Sequence, residues 1–193
     1  MTNKEETTAM KEEYDFSIIK RTYLKLSSGF KTRYRGRFTQ ILGELSVLNE
    51  LKKHNFDVEP KSGQGSYDLK VKDDGKKIEV KACNLSNPWA KRGNDRIGGC
   101  SGINPDKFDI LIYVDFEDDL KSFKHYIFTK KEAENFPDAK REKRWYAKKA
   151  RENTRVLNYP FKTKNFEDMT TEEANDLNSF IKNSRNKWNK IKK

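Results

Sequence analysis

The stretch Tyr67–Cys83, YDLKVKDDGKKIEVKAC, constrains the fold of this chain more than any other. Two runs alternate apolar and polar residues with period 2, and Asp74-Gly75 between them is a preferred pair for a tight turn. The stretch therefore reads as a β-hairpin. A two-residue turn sets Asp73 opposite Lys76, and counting outward brings Lys70 to Glu79 and Asp68 to Lys81. Leu69, Val71, Ile78 and Val80 then share the face that must be buried. Asp68, Glu79 and Lys81 gather on the other face.

Two carboxylates and an ammonium placed together have a chemical use. Hard oxygen donors suit Mg²⁺, which binds through one or two carboxylates plus substrate phosphate and water. Such an ion beside a phosphodiester polarises its oxygens and acidifies water. A neighbouring lysine can orient that water and offset developing charge. A solvated strand face carries the same alternation, so the hairpin alone leaves both readings open.

The segments around the hairpin read as an alternation of helix and strand. Phe38–His54 is the strongest helix, with Phe38, Ile41, Leu42, Leu45, Leu48 and Leu51 recurring at helical period. Glu44 falls at the edge of that stripe, either reaching into a site beside a sheet or serving as a boundary residue. His54 closes the helix, and Asn55–Glu59 forms a short strand. An earlier helix spans Tyr14–Leu26 and is broken at Ser27-Ser28-Gly29. Phe108–Phe116, FDILIYVDF, is a central buried strand. His125–Phe128 pairs beside it, with His125 a strand-face residue rather than a base. Thr129 caps a short helix that ends before Pro137.

The net charge of +11 suggests a polyanionic partner, because neutralising phosphate dominates nucleic-acid affinity. Arg33, Arg35 and Arg37 surround Tyr34 and can contact phosphates; a solvated loop is the alternative. Gln64 lies in the flexible loop KSGQGS, within reach of the site. Ala82–Asn104 is irregular and would overhang the hairpin, carrying Asn84, Asn87, Lys91, Arg92, Asn94 and Arg96 toward base edges or phosphates. Residues 139–193 hold 16 Lys+Arg and 7 Asp+Glu. Within them, residues 140–151 read as a basic helix or arm presenting Arg141, Arg144, Lys148 and Arg151. A last helix opens at the capping box of residues 170–173 and runs through Leu177, Phe180, Ile181, Ser184, Trp188 and Ile191, to dock on the domain or on a second copy. Residues 1–13 form a loose polar arm without signal character. No apolar run approaches membrane length, and Cys83 and Cys100 are too few for a disulfide framework or a four-cysteine zinc site. A cytoplasmic protein without membrane partners is expected.

Gly43-Glu44 on an apolar helix, then a strand, Asp68 and Glu79-Val80-Lys81 together resemble the PD-(D/E)XK nuclease superfamily. That group includes many restriction endonucleases and archaeal-type Holliday-junction resolvases. The likeness covers about residues 38–116, and Tyr67 stands where the superfamily's name has proline. It implies an α/β fold: a restriction-endonuclease-like core with a mixed central sheet of four to five strands flanked by helices, plus a C-terminal helical appendage. The chain then divides into an arm and helix (1–37), the nuclease core (38–138) and a basic helical region (139–193). By the same resemblance Asp68, Glu79 and the Val80 carbonyl are expected to hold Mg²⁺, with Mn²⁺ able to substitute. Lys81 positions the attacking water, and Glu44 supports those ligands or holds a second ion. The implied activity is a Mg²⁺-dependent endonuclease on double-stranded DNA, first a small type II restriction endonuclease. A Holliday-junction resolvase or repair nuclease is the alternative of the same fold. A nuclease acting on RNA is a further one. Cutting two strands calls for two sites, hence a homodimer. A non-catalytic basic nucleic-acid-binding protein is the alternative of another class.

Overall fold

The computed structural model describes residues 16–61, 67–86, 99–134, 147–151, 154–158, 179 and 182–192. Three helices come first: α1 (Phe16–Lys25), α2 (Ser28–Arg33) and α3 (Arg35–Lys53). Five strands follow in one mixed sheet: β1 (Val58–Pro60), β2 (Leu69–Val71), β3 (Lys77–Asn84), β5 (Ile110–Phe116) and β6 (Phe123–Thr129), in that spatial order. All neighbours are antiparallel except the central β3–β5 pair, which is parallel. A second sheet of three strands is formed by β4 (Gly99–Ile103), β7 (Ala147–Arg151) and β8 (Thr154–Asn158), with β8 in the middle. The α/β class and the five-stranded mixed sheet are as the sequence led one to expect.

Every residue of β5 is buried, as befits a central strand covered on both faces. α3 packs on β3, and the core joins Leu42, Val47 and Leu51 to Leu69, Val71, Ile78, Val80, Ile112 and Val114. The short α4 (Lys130–Glu134) packs against β5 and β6. A capping box opens it: Glu132 accepts from the Thr129 amide at 2.8 Å, and the Thr129 hydroxyl accepts from the Glu132 amide at 3.3 Å. The far end of the chain returns to this core. Trp188 and Ile191 are buried in it, and the Asn186 amide donates to the His125 carbonyl at 2.9 Å. That contact, with the Tyr126–Arg185 bridge, covers the outer edge of β6.

Several expected details are corrected. The hairpin pairs Leu69 with Ile78 and Lys70 with Lys77, so its loop is longer than two residues. The Gly75 amide donates to the Val71 carbonyl at 2.9 Å, with Gly75 at φ 74°. This offset of two positions leaves each side chain on its expected face, because the strand period is two. Ser27 does not merely break the chain: its hydroxyl caps α2, and the basic residues 31–37 are almost wholly helical. Ile41 is 46% exposed, not in the core stripe. The buried face of α3 is turned toward Gly43, Ser46 and Val47, because the missing Cβ of Gly43 lets the helix sit down on Ala82. Residues 147–151 are a strand, not a helix, because TRVLN supplies β-branched partners across the ladder. Gly99–Ile103, expected as loop, is likewise strand. The C-terminal helix does not run through to Ile191: left-handed Asn186 (φ 52°) ends it, and Trp188–Lys190 is a 3-10 turn.

Candidate active site

The β2–β3 ladder stops at Leu69–Ile78, whereas the β3–β5 ladder continues to Asn84–Phe116. Glu79, Val80 and Lys81 therefore lie just past the point where β2 leaves its neighbour. Asp68 sits at that departure. Its amide still donates to the Ile78 carbonyl at 2.9 Å, and its Oδ2 accepts from the Val80 amide at 2.7 Å. The side chain thus replaces a ladder carbonyl. One carboxylate oxygen is pinned to the strand that carries Glu79 and Lys81, and this orients the other.

Glu79 is buried on β3, and its Oε1 contacts the Lys81 ammonium. Glu44 comes from the helix side. It is half-buried, and Gln40, one turn earlier, donates to its Oε1 at 2.8 Å. The close seating of Gly43 on Ala82 is what brings this turn of α3 down to the sheet.

All three carboxyls are pushed above their ordinary range, and burial is the first cause of each. For Glu44, the Gln40 hydrogen bond opposes the shift, the Asp68 charge adds to it and Lys81 offsets part. For Asp68, the Val80 amide and then Lys81 oppose it. For Glu79, Lys81 opposes while Asp68 and Glu44 add. The four side chains expected to act together thus lie within one another's electrostatic reach. Among the described residues, one lysine stands with these three carboxylates, which leaves negative charge in excess.

That surplus suits a cation. Among the described residues no group of three or more His, Cys, Asp or Glu side chains forms a ready-made metal cage. Two carboxylates, Asp68 and Glu79, with the backbone between them, could supply oxygen donors. Mg²⁺ needs no full protein cage, since it keeps waters and takes substrate phosphate as ligands. Hard oxygens with excess negative charge therefore fit that ion.

Other expected contacts divide into four groups. Arg33 and Arg37 are exposed and Arg35 is half-buried, all on the α2–α3 corner. Asn84, expected at base edges, is buried instead. Its Nδ2 donates to Asp118 at 2.6 Å and its Oδ1 accepts from the Ser86 amide at 3.0 Å, so it ties β3 to the turn after β5. Lys148 and Arg151 lie on β7. Gln64, Asn87, Lys91, Arg92, Asn94, Arg96, Arg141 and Arg144 lie outside the described residues. Gln40 was missed by sequence reasoning, although its spacing of four from Glu44 was the available signal.

A cavity of about 710 Å³ lies on the opposite flank of α3, lined by Ser46, Asn49, His125 and Trp188 among others, and it includes none of the four clustered residues. His125 there is buried, its pKa lowered to about 4 by burial, and its Nε2 meets the Ser46 hydroxyl at 3.1 Å. It stands on β6, the strand expected for it.

No protein-family model matches this chain, and no curated protein matches it. Among solved structures, a bacterial homing endonuclease, I-Ssp6803I, aligns over 80% of this chain and 91% of its own, at 14% identity and a TM-score of 0.48. Among the described residues no helix is long and apolar enough to cross a membrane.

Proposed function

We propose that this protein is a Mg²⁺-dependent endonuclease that hydrolyses DNA phosphodiesters, and within that class a small restriction endonuclease. The observation that carries the proposal is the convergence of Glu44, Asp68, Glu79 and Lys81 where β2 parts from β3, with Asp68 held by the Val80 amide. Asp68 and Glu79 would hold the ion, with the Val80 carbonyl added by family resemblance. When bound, the ion supplies charge neutralisation at the phosphate and acidifies water.

The chain's own residues do the rest. The Lys81 ammonium, steadied by Glu79, donates hydrogen bonds to the attacking water and offsets charge that grows on the phosphate oxygens. Glu44, steadied by Gln40, adds the third negative charge that draws cations to the site. The water oxygen bonds to phosphorus as one ester oxygen departs; the water's proton passes to solvent, and the departing oxygen takes one from solvent. Two such sites are needed to cut two strands, so a homodimer is the expected working form.

Incubation of supercoiled plasmid with the protein tests this, in Mg²⁺ and in EDTA. Linear or nicked product in Mg²⁺ alone is expected, with defined ends on sequencing. Plasmid left intact in both Mg²⁺ and Mn²⁺, but retarded in a gel, would make the protein a binder rather than an enzyme.

A further inference from the structure

Residues 16–43 contain seven Lys and Arg and no Asp or Glu; Glu44 is the first carboxylate after Asp15. The same stretch holds all the exposed large hydrophobic residues among those described: Ile18 at 55%, and Leu24, Phe30 and Ile41 at 46% each. Single exposed apolar residues are ordinary, but their confinement to one layer marks an interaction surface.

The exposed faces of these helices mix the two kinds of residue. On α1, Ile18, Arg21 and Lys25 are exposed at spacings of three and four, while Tyr23 faces the core. On α2, Phe30 and Arg33 are exposed three apart. The Phe30 ring rests on Tyr34 at 4.6 Å, which holds it outward on an aromatic base. On α3, Arg37, Gln40 and Ile41 are exposed and lead to Glu44 at positions i, i+3, i+4 and i+7, a single stripe. The core residues Leu42, Val47 and Leu51 lie off that line.

We infer that this acid-free helical layer docks nucleic acid, with Arg37 and Ile41 guiding one strand along α3 to Glu44. Charge decides between occupants. A second copy of the chain would set the exposed Arg21, Lys25, Arg33 and Arg37 of one layer against those of the other, with no carboxylate in either stretch to pair them. A polyanion matches them, and apolar side chains beside cations suit sugars and base edges in a groove. The span from Arg37 to Glu44 is seven residues, or about 10.5 Å of helix. At about 3.4 Å of duplex axis per nucleotide, a duplex lying along α3 sets Arg37 at a phosphate roughly three nucleotides from the one at the acid cluster. This register rests on the nuclease reading; the docking surface itself does not.

The test is fluorescence anisotropy of the full chain with a labelled DNA duplex in EDTA, over a salt series, so that no cleavage is required. Arg37→Ala should weaken binding by roughly tenfold and lower the slope of log K against log salt by about one. Ile41→Ser should weaken it by about threefold to tenfold at unchanged slope, because it removes contact and no charge. Both residues are exposed, so melting temperatures should stay at the wild-type value. Wild-type affinity and slope in both variants would overturn the inference. So would a loss of dimer in sedimentation with DNA affinity intact, which would assign the face to a second copy. A wild-type protein that cuts no DNA, but whose variants lose affinity as stated, would keep the docking surface and remove the nuclease reading. Cutting by wild type with affinity unmoved in both variants would do the reverse.

Discussion

Glu132 and Glu79 each contact a lysine, Lys190 and Lys81, yet their carboxyls move in opposite directions. Glu132 is held below its ordinary range: burial would raise it, but Lys190 at 2.7 Å and the Thr129 amide and hydroxyl outweigh that. Glu79 is held above its range, because it is more deeply buried and two further carboxylates, Asp68 and Glu44, stand against it. The first pair fastens the C-terminal segment to α4, and its charges are matched. The second belongs to a group that carries more negative charge than its own residues neutralise. A satisfied pair stabilises the fold, whereas an unsatisfied group waits for a ligand.

The largest expected effect breaks the second group chemically. Asp68→Asn and Lys81→Ala should each lower DNA cleavage by about 10²-fold or more, as loss of a group acting on developing charge commonly does. DNA affinity should stay close to wild type. Asparagine keeps an oxygen for the Val80 amide, so the fold is retained. Cleavage by Asp68→Asn at the wild-type rate would dissolve the contrast between the two pairs.

The next effect is on stability, and its sign follows from the raised carboxyls. Raised groups favour folding fully below their unfolded pKa and lose that contribution as pH rises through their folded pKa. Without divalent ions, the cluster therefore costs stability near neutral pH. Mg²⁺ should restore it, by about 2.7 kcal/mol when free ion reaches 100 times its dissociation constant. Thermal melts at pH 7 should show an increase with Mg²⁺ in wild type and none in Asp68→Asn. The variant without metal should melt above metal-free wild type. An equal Mg²⁺ increment in both proteins would place ion binding elsewhere.

Gly43→Ala tests the seating that brings Glu44 to the sheet. The new Cβ would overlap that of Ala82, which is fixed to β3 and cannot swing aside. Overpacking costs about 1–3 kcal/mol, against a helix-propensity gain of up to about 1. A net loss is expected in denaturant melts, with cleavage lowered as Glu44 is lifted. Ala82→Gly in the same chain should return part of both. A Gly43→Ala protein as stable and active as wild type would show that the close approach does not set the site.

Much of this arrangement was legible in the chain because β structure has a period of two. The hairpin loop was longer than its Asp-Gly pair implied, yet Asp68, Glu79 and Lys81 still met, since an offset of two keeps faces. The orientation of α3 was not legible in the same way. Hydrophobicity placed Ile41 inside, but close packing is decided by the smallest residue facing the partner, Gly43, and that depends on Ala82 some forty positions away in sequence. Asn84 misled for a related reason: a polar residue after a strand reads as surface until its partner, Asp118, is known. The β7–β8 pair was missed because AKKAR has weak strand preference and gains its conformation from TRVLN.

The smallest effect belongs to the satisfied pair and completes the comparison. Glu132 is depressed, so its contribution is present above its unfolded pKa and is lost as pH falls through its folded value. Its side chain is 38% exposed, and solvent screening limits the pair to about 1 kcal/mol or less. Glu132→Gln should therefore lower the melting temperature slightly at pH 7 and hardly at all in acid, where the wild-type carboxyl is already protonated. Its response to Mg²⁺ and its cleavage rate should match wild type, because no contact among the described residues joins it to the acid cluster. The two glutamates should thus show opposite pH dependences, with Glu79→Gln relieving repulsion at neutral pH where Glu132→Gln removes attraction. Parallel pH-melting curves for the two variants would mean that Lys190 and the Thr129 cap do not outweigh burial at Glu132.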